Sequence, residues 1–125
     1  MAKEMGSRIL LGLPQRSILK LLILGLLAEK PMHGYELLKR VEEITRGFWR
    51  PSPGTLYSLL KSLREEGLVV MDHVEGSGVP SGLRIVYRLT RKGHDQLQRL
   101  APRMVVVFES IAWFFSRFVR GKVKV

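Results

Sequence analysis

Residues 18–28 are apolar almost all round a helical wheel, with Ile18, Leu19, Leu21, Leu22, Ile23, Leu24, Leu26 and Leu27 leaving no polar face. That pattern predicts a helix buried at the centre of a domain, with Ser17 as its cap. Pro31 closes it, and a second pattern then places Tyr35, Leu38, Val41 and Glu42 on one face with Leu37 and Ile44 beside it. This predicts an amphipathic helix of about three turns. Residues 46–50 read as a turn. Ser52-Pro53-Gly54-Thr55 then supplies an N-cap hydroxyl and a proline at the first helical position, where a missing N–H is harmless. The third helix carries Leu56, Leu59, Leu60 and Leu63 on one face and stops at Gly67, which suits a left-handed C′ position.

The period then shortens. Residues 68–73 and 84–89 are rich in β-branched and apolar side chains, and Ile85, Tyr87 and Leu89 alternate with Val86 and Arg88, as antiparallel strands require. The connection 74–83 holds Gly76, Gly78, Pro80 and Gly82, the composition of a flexible wing. Thr90 caps a long last helix in which Leu97, Ala101, Met104, Phe108, Ile111, Phe115 and Phe118 recur at spacings of four and three, a heptad seam. Pro102 is expected to bend or divide that helix near Leu100. The fold expected is mainly α with a small two-stranded β-wing: a winged helix-turn-helix followed by a long C-terminal dimerisation helix. The chain divides into a basic arm (1–16), the winged unit (17–90), the dimerisation helix (91–121) and a basic tail (122–125).

Composition narrows the partner. The chain has 125 residues, enough for one domain with a core, and 46% of them are hydrophobic, so general disorder is excluded. Lysine and arginine number 21 against 11 acidic residues, a formal charge of +10 that favours a polyanion. With no cysteine there is neither a disulfide framework nor a thiolate metal site, which suits a cytoplasmic protein. The apolar run 18–28 is too short to span a bilayer, and 104–119 is interrupted by Glu109 and bounded by Arg103 and Arg117, so no stable membrane insertion is expected. No export signal is legible at the N-terminus. His33, His73 and His94 fall on different elements without metal-ligand spacing, and no glycine-rich phosphate loop follows a strand. No metal, cofactor or catalytic apparatus is expected.

In a winged helix-turn-helix the second helix of the motif enters the major groove, and here that helix is 53–66. With its leucines inward, Thr55, Tyr57, Ser58, Lys61, Ser62 and Arg64 are left towards the outside, where hydroxyls and cations can meet phosphates or base edges. A merely solvated polar face is the alternative. The segments His33-Gly34-Tyr35-Glu36-Leu37, Pro51-Ser52-Pro53-Gly54-Thr55-Leu56-Tyr57 with Leu60, Leu63 and Glu66-Gly67-Leu68, and Tyr87-Arg88-Leu89-Thr90 with Gly93 resemble the PadR family of bacterial transcriptional regulators. The resemblance covers roughly 18–100. It implies a winged DNA-binding domain, a dimer built by the last helix, and a recognition-helix role for Thr55, Tyr57 and Lys61. The expected DNA-contacting set is Ser52, Thr55, Tyr57, Ser58, Lys61, Arg64 and, on the wing, Arg84. Where the family's wing strand often carries two adjacent basic residues, Arg84 is followed here by Ile85 and Val86.

The expected dimer interface is the seam Leu97, Met104, Phe108, Ile111, Phe115 and Phe118. Val105, Val106, Val107, Ala112, Trp113, Phe114 and Val119 lie off that seam, so one partner helix cannot bury everything apolar in 104–119. The surplus is expected to pack on the first helix of either subunit. Some short PadR-type regulators instead place aromatic effectors between the helices of a dimer, which makes Trp113 and Phe114 candidate contacts for a planar aromatic small molecule. The leading expectation is a homodimeric repressor on double-stranded DNA with an inverted-repeat operator, possessing no enzymatic activity. The alternatives are an adaptor whose last helix docks a partner protein, and a membrane-surface protein anchored by that helix with Arg117, Arg120, Lys122 and Lys124.

Overall fold

A computed structural model describes residues 15–76 and 84–120. In chain order the elements are α1 (Gln15–Glu29), β1 (Met32–His33), α2 (Gly34–Ile44), α3 (Pro53–Glu65), β2 (Val69–Val74), β3 (Ile85–Leu89) and α4 (Arg91–Ser116). The chain is mostly helical with a small antiparallel sheet. The expected arm before Gln15, most of the wing loop and the basic tail lie outside the described residues.

α1 is central for the reason its composition suggests: Leu19, Ile23, Leu24, Leu26 and Leu27 are buried, and it touches α2, α3, β3 and the start of α4. Its helix begins at Gln15, so Ser17 is an exposed residue of the first turn instead of the cap. α2 is rolled relative to the expected face. Leu37 and Val41 are fully buried and Leu38 partly so, whereas Tyr35 and Ile44 are exposed. His33 caps α2, its Nδ1 accepting from Glu36 N at 3.1 Å. α3 follows its sequence signals closely: Ser52 Oγ accepts from Thr55 N at 3.1 Å, Leu56, Leu59, Leu60 and Leu63 are buried, and Gly67 takes φ 79°.

The turn between α2 and α3 is a built joint. Gly47 N donates to the Glu42 carbonyl, and Arg46 and Gly47 both take positive φ. The Thr45 hydroxyl accepts from Trp49 N at 3.1 Å and lies 2.9 Å from the Val41 carbonyl to which it donates. This clamp carries Trp49, which the sequence pattern leaves in a turn, into the core at 8% exposure.

Among the described residues the two expected strands are joined by a third, in the order β1-β3-β2. The two residues of β1 pair with the far edge of β3, Met32 opposite Tyr87 and His33 opposite Val86. β2 pairs with β3 from Val69 opposite Leu89 to Val74 opposite Ile85, with a bulge that leaves Asp72 without a partner between Met71 and His73. α4 starts at a cap, Thr90 Oγ1 accepting from Gly93 N at 3.1 Å, and Gly93 lies directly over Leu68. It then runs unbroken through Pro102, which is exposed and so leaves the orphaned carbonyl one turn back free to meet water. The expected division near Leu100 does not occur. The helix closes at Ser116, so Phe118 lies in the turn that follows and not on a continued heptad, and Leu97 packs against the chain's own core.

Candidate nucleic-acid interface

α3 presents three different faces. Its leucines point into the core. Thr55, Ser58, Lys61 and Arg64 are exposed. Tyr57, placed outside on sequence grounds, is turned inward: its hydroxyl is buried without a hydrogen-bond partner and packs so closely on Gly34 that a Cβ there would lie 2.5 Å from Tyr57 Oη. The physical reason is the bare Cα surface at the start of α2, which leaves room for a ring that any other residue would exclude. Ser62 is half-buried.

At the N-terminus of α3 two hydroxyls interlock. Ser52 Oγ–H donates to Thr55 Oγ1 at 2.8 Å while accepting from Thr55 N, so Ser52 is committed to the cap. Thr55 accepts from Ser52 and keeps its own proton to donate outward. Further along the helix, Arg16 reaches over from α1 with Nη1 3.5 Å from Ser58 Oγ and Nη2 3.5 Å from the Ser58 carbonyl. Sequence reasoning assigned Arg16 to the N-terminal arm; the structure makes it part of this surface.

Ion pairing explains how a positive face survives beside five glutamates. Glu66 is paired with Lys20, Glu36 with Lys30, Glu29 and Glu43 with Arg40, and Glu42 more loosely with Arg50 at 3.8 Å. Four cations thus engage these five carboxylates on α1, α2 and the residue after α3. Lys61 and Arg64 have no ion pair among the described residues, so their charge is free for an external anion.

Between α3 and the sheet lies an open groove of about 720 Å³, walled by Tyr57, Lys61 and Arg64 and floored by Met71, Ile85 and Tyr87. Burial pushes the Tyr57 hydroxyl above its ordinary pKa. Burial, then the approach of Tyr57, does the same to Tyr87 against the opposing influence of Arg64. Both phenols are therefore neutral at physiological pH, and the charge of the groove comes from its lysine, its arginine and Glu65.

At the wing base Arg84 is held internally, donating to the Gly76 carbonyl while its own carbonyl accepts from Glu75 N at 2.9 Å. Its Nε is buried without a hydrogen-bond partner, and its charge has no ion pair among the described residues. Beside it, Asp72 accepts from His73 Nδ1 at 2.8 Å and from Arg88 Nε at 3.1 Å, and Glu75 lies 3.2 Å from His73 Nε2. The hydrogen bond to Asp72 first, then that to Glu75, raises the His73 pKa, and His73 and Arg88 lower that of Asp72. The raised histidine contributes stability below its unfolded value and loses it as pH rises through the folded one. The lowered carboxylate contributes above its unfolded value and loses it on acidification. The cluster is thus strongest between the ordinary values of about 3.9 and 6.5. In an NMR titration His73 should hold its proton above the ordinary histidine value, and Asp72→Asn should bring it down. A wild-type midpoint at or below about 6.5 would remove this cluster.

α4 beyond Leu100 has little cover. Val106, Trp113, Phe115 and Phe118 are 59–70% exposed, and Phe108 and Ile111 are only partly covered. At its end the Phe114 and Phe115 rings meet edge to face, 5.3 Å between centroids, and the Arg117 guanidinium lies 5.7 Å from the centre of the Trp113 ring. Among the described residues no helix is long and apolar enough to cross a membrane.

Comparison with known proteins places these features. A family model described as the transcriptional regulator PadR-like family matches residues 23–99. The transcriptional regulator YqjI of Escherichia coli is 43% identical over 93 residues, 74% of this chain, which spans only 42% of the length of that relative. A transcriptional regulator of Mycobacterium tuberculosis is 39% identical over 83 residues, covering 66% of this chain and 72% of the relative. Among solved structures, a PadR family transcription regulator from Clostridium difficile aligns over 78% of this chain and 97% of its own, with a TM-score of 0.62 and 27% identity. Bacillus subtilis PadR in complex with operator DNA aligns over 67% of this chain and 47% of its own, with a TM-score of 0.57 and 28% identity.

Proposed function

The chain belongs to the PadR-like family of transcriptional regulators, and from that membership we propose that it binds an inverted-repeat DNA operator as a homodimer and represses transcription. The observation that carries this reading is the exposed face of α3, where Thr55, Ser58, Lys61 and Arg64 stand with Arg16 alongside and the acids of α1 and α2 nearby, with Glu66, are held in ion pairs. Such a face offers hydroxyl donors at short reach and flexible cations at longer reach, the mixture that reads base edges and holds phosphates. In this reading 17–90 is the DNA-binding unit and 91–121 supplies the dimer contact, with 1–16 and 122–125 as basic extensions. The exposed apolar half of α4 supports the dimer, because surface of that kind is rarely left to water.

The test is the salt dependence of binding to a promoter fragment recovered from genomic DNA. Lys61→Ala should weaken binding on all sequences and lower the salt slope by about one ion. Thr55→Ala should weaken the operator selectively. Tyr57→Phe should leave affinity unchanged, since the hydroxyl it removes is buried against Gly34. If Thr55→Ala and Lys61→Ala both bind the operator as wild type does, α3 is not the recognition helix.

A second reading adds a planar aromatic effector at Trp113 and Phe114. It is favoured by one observation: Trp113 is 67% exposed and is not filled in by α1, so its ring remains available for stacking near the proposed dimer contact. Loss of calorimetric binding of a planar cationic dye in Trp113→Ala would support it.

A further inference from the structure

We propose that Arg16 and Ser52 are positioning residues that fix the polarity of base readout by α3. Each gives a hydrogen to an exposed hydroxyl of that helix, so that Ser58 and Thr55 meet DNA as donors and select the N7 edge of purines at neighbouring base pairs. The proposal rests on the reading of α3 as the helix that enters the major groove.

A serine or threonine hydroxyl ordinarily reads either kind of base edge, because its proton turns to suit the partner. Elsewhere in this chain hydroxyls spend that proton inside the protein: Ser110 donates to the Val106 carbonyl at 2.6 Å, Ser116 to the Trp113 carbonyl at 2.7 Å and Thr90 to the Gly67 carbonyl at 2.7 Å. Thr55 and Ser58 are placed the other way round. Ser52 Oγ is occupied as the acceptor from Thr55 N at 3.1 Å, and its proton goes to Thr55 Oγ1 at 2.8 Å. Arg16 spans to Ser58 with a fork, Nη1 lying 3.5 Å from Oγ and Nη2 3.5 Å from the carbonyl. A guanidinium has donors only, so Ser58 Oγ must be the acceptor. The fork is long, and exclusion of water by bound DNA strengthens it. Both side chains are exposed, and among the described residues neither the Thr55 proton nor the Ser58 proton has an acceptor in the protein.

The placement of Arg16 follows from its spacing. Arg16 and Lys20 are four apart and share a face of α1, and both reach across to α3, Lys20 through Glu66 at 3.1 Å. That ion pair helps to hold the two helices side by side.

A hydroxyl that accepts one hydrogen is polarised towards donating its own. Against cytosine N4 or adenine N6 its proton would be trapped without a partner in a desolvated groove, the costly outcome. Purine N7 is an acceptor in both adenine and guanine, whereas cytosine presents a donor and thymine sets a methyl group beside its acceptor. Thr55 and Ser58 are three residues apart, about 4.5 Å along the helix axis, close to a base-pair step of about 3.4 Å. The two donors therefore fall on neighbouring base pairs.

The experiment uses the full chain and the duplex it selects from a random-sequence pool. Each purine is replaced in turn by its 7-deaza analogue, which keeps Watson–Crick pairing and lacks N7. Two replacements at neighbouring base pairs of each half-site should each weaken binding about fivefold, the scale of one hydrogen bond. Ser58→Ala should lose the penalty at one of these positions and Thr55→Val at the other. Arg16→Ala should also lose the Ser58 penalty, with the salt slope of wild type, and should change discrimination no further in a Ser58→Ala background. Ser52→Asp keeps a capping acceptor but has no proton to give, so Thr55 turns its hydroxyl inward and its penalty should vanish. Circular dichroism should show each variant folded. Indifference to every 7-deaza purine, or both penalties intact in Arg16→Ala and Ser52→Asp, would overturn the proposal. So would an Arg16→Ala variant that weakens all duplexes equally and lowers the salt slope by about one ion, the signature of a phosphate contact. If instead Thr55→Val and Ser58→Ala bind the selected duplex as wild type does, the reading of α3 itself fails, which keeps the two failures apart.

Discussion

Phe115→Glu should convert the protein from a dimer into a folded monomer and remove most of its affinity for an inverted-repeat operator. The choice of Phe115 follows from the structure. Ile111 and Phe108 on the same helix are partly covered within one chain, so a charge at either would disturb the protomer as well as the assembly. Phe115 is 59% exposed in the single chain and meets chiefly Phe114. A carboxylate there costs the protomer little but costs an apolar interface several kcal/mol unless it finds a partner, as a rough expectation for an unpaired buried charge. Sedimentation should give twice the 14.3 kDa chain mass for wild type and the single mass for the variant, with unchanged helical circular dichroism. Linked half-sites bind with an avidity of about 10²–10⁴ over a single one, so operator affinity should fall by a factor of that order. A wild-type mass of one chain at micromolar concentration, or a variant that stays dimeric, would end the proposal that α4 builds the dimer.

The same substitution, glycine to alanine, should have opposite signs in two helices. At Gly93 a Cβ would run into the Leu68 carbonyl and lie 2.6 Å from Leu89 Cδ1. The first is backbone held in place by the hydrogen bond from Thr90 N to that carbonyl, so α4 must lift off the sheet or β2 must shift. Overpacking of this kind costs about 1–3 kcal/mol, and more where the neighbour cannot move. Gly25, in the interior of α1, has nothing within 4 Å of the point where a methyl would stand. There alanine removes conformational freedom from the unfolded chain and should stabilise by roughly 0.5–1 kcal/mol. Thermal or urea unfolding of both variants at one protein concentration checks the pair. Each kcal/mol moves the midpoint by about 4–8 °C in a domain of this size class, so the two should separate clearly. Equal midpoints would mean that the start of α4 does not sit on Leu68.

The family and its winged-helix architecture were legible before any coordinates, because they are written in short-range patterns. Ser52 and Thr90 announce their helices as caps, Gly67 takes the left-handed turn expected of it, and the four leucines of α3 share one face. These are consequences of spacing within a few residues, where the helix period or a single φ angle decides the outcome. Misplacements arose where a local pattern allowed two solutions. Rolling α2 by a fraction of a turn exchanges Tyr35 for Leu37, and the amphipathic pattern alone does not choose between them.

The candidate site depended on contacts that no local pattern encodes. Arg16 meets Ser58 across 42 positions of sequence, Met32 joins the sheet opposite Tyr87, and Gly34 is the surface against which Tyr57 turns its hydroxyl away from solvent. Leu97 has the spacing of an interface residue and packs, partly buried, against the chain's own core. By itself the sequence determined the cap, the buried leucines and the stop of α3, the cap of α4 and the two longer strands. Only the tertiary structure decided which polar side chains of α3 remain free, because freedom is settled by what packs alongside. Glutamates on α1, α2 and the residue just after α3 are taken up by other cations, one tyrosine is drawn into a gap left by a glycine, and Lys61 and Arg64 are left with no ion pair among the described residues.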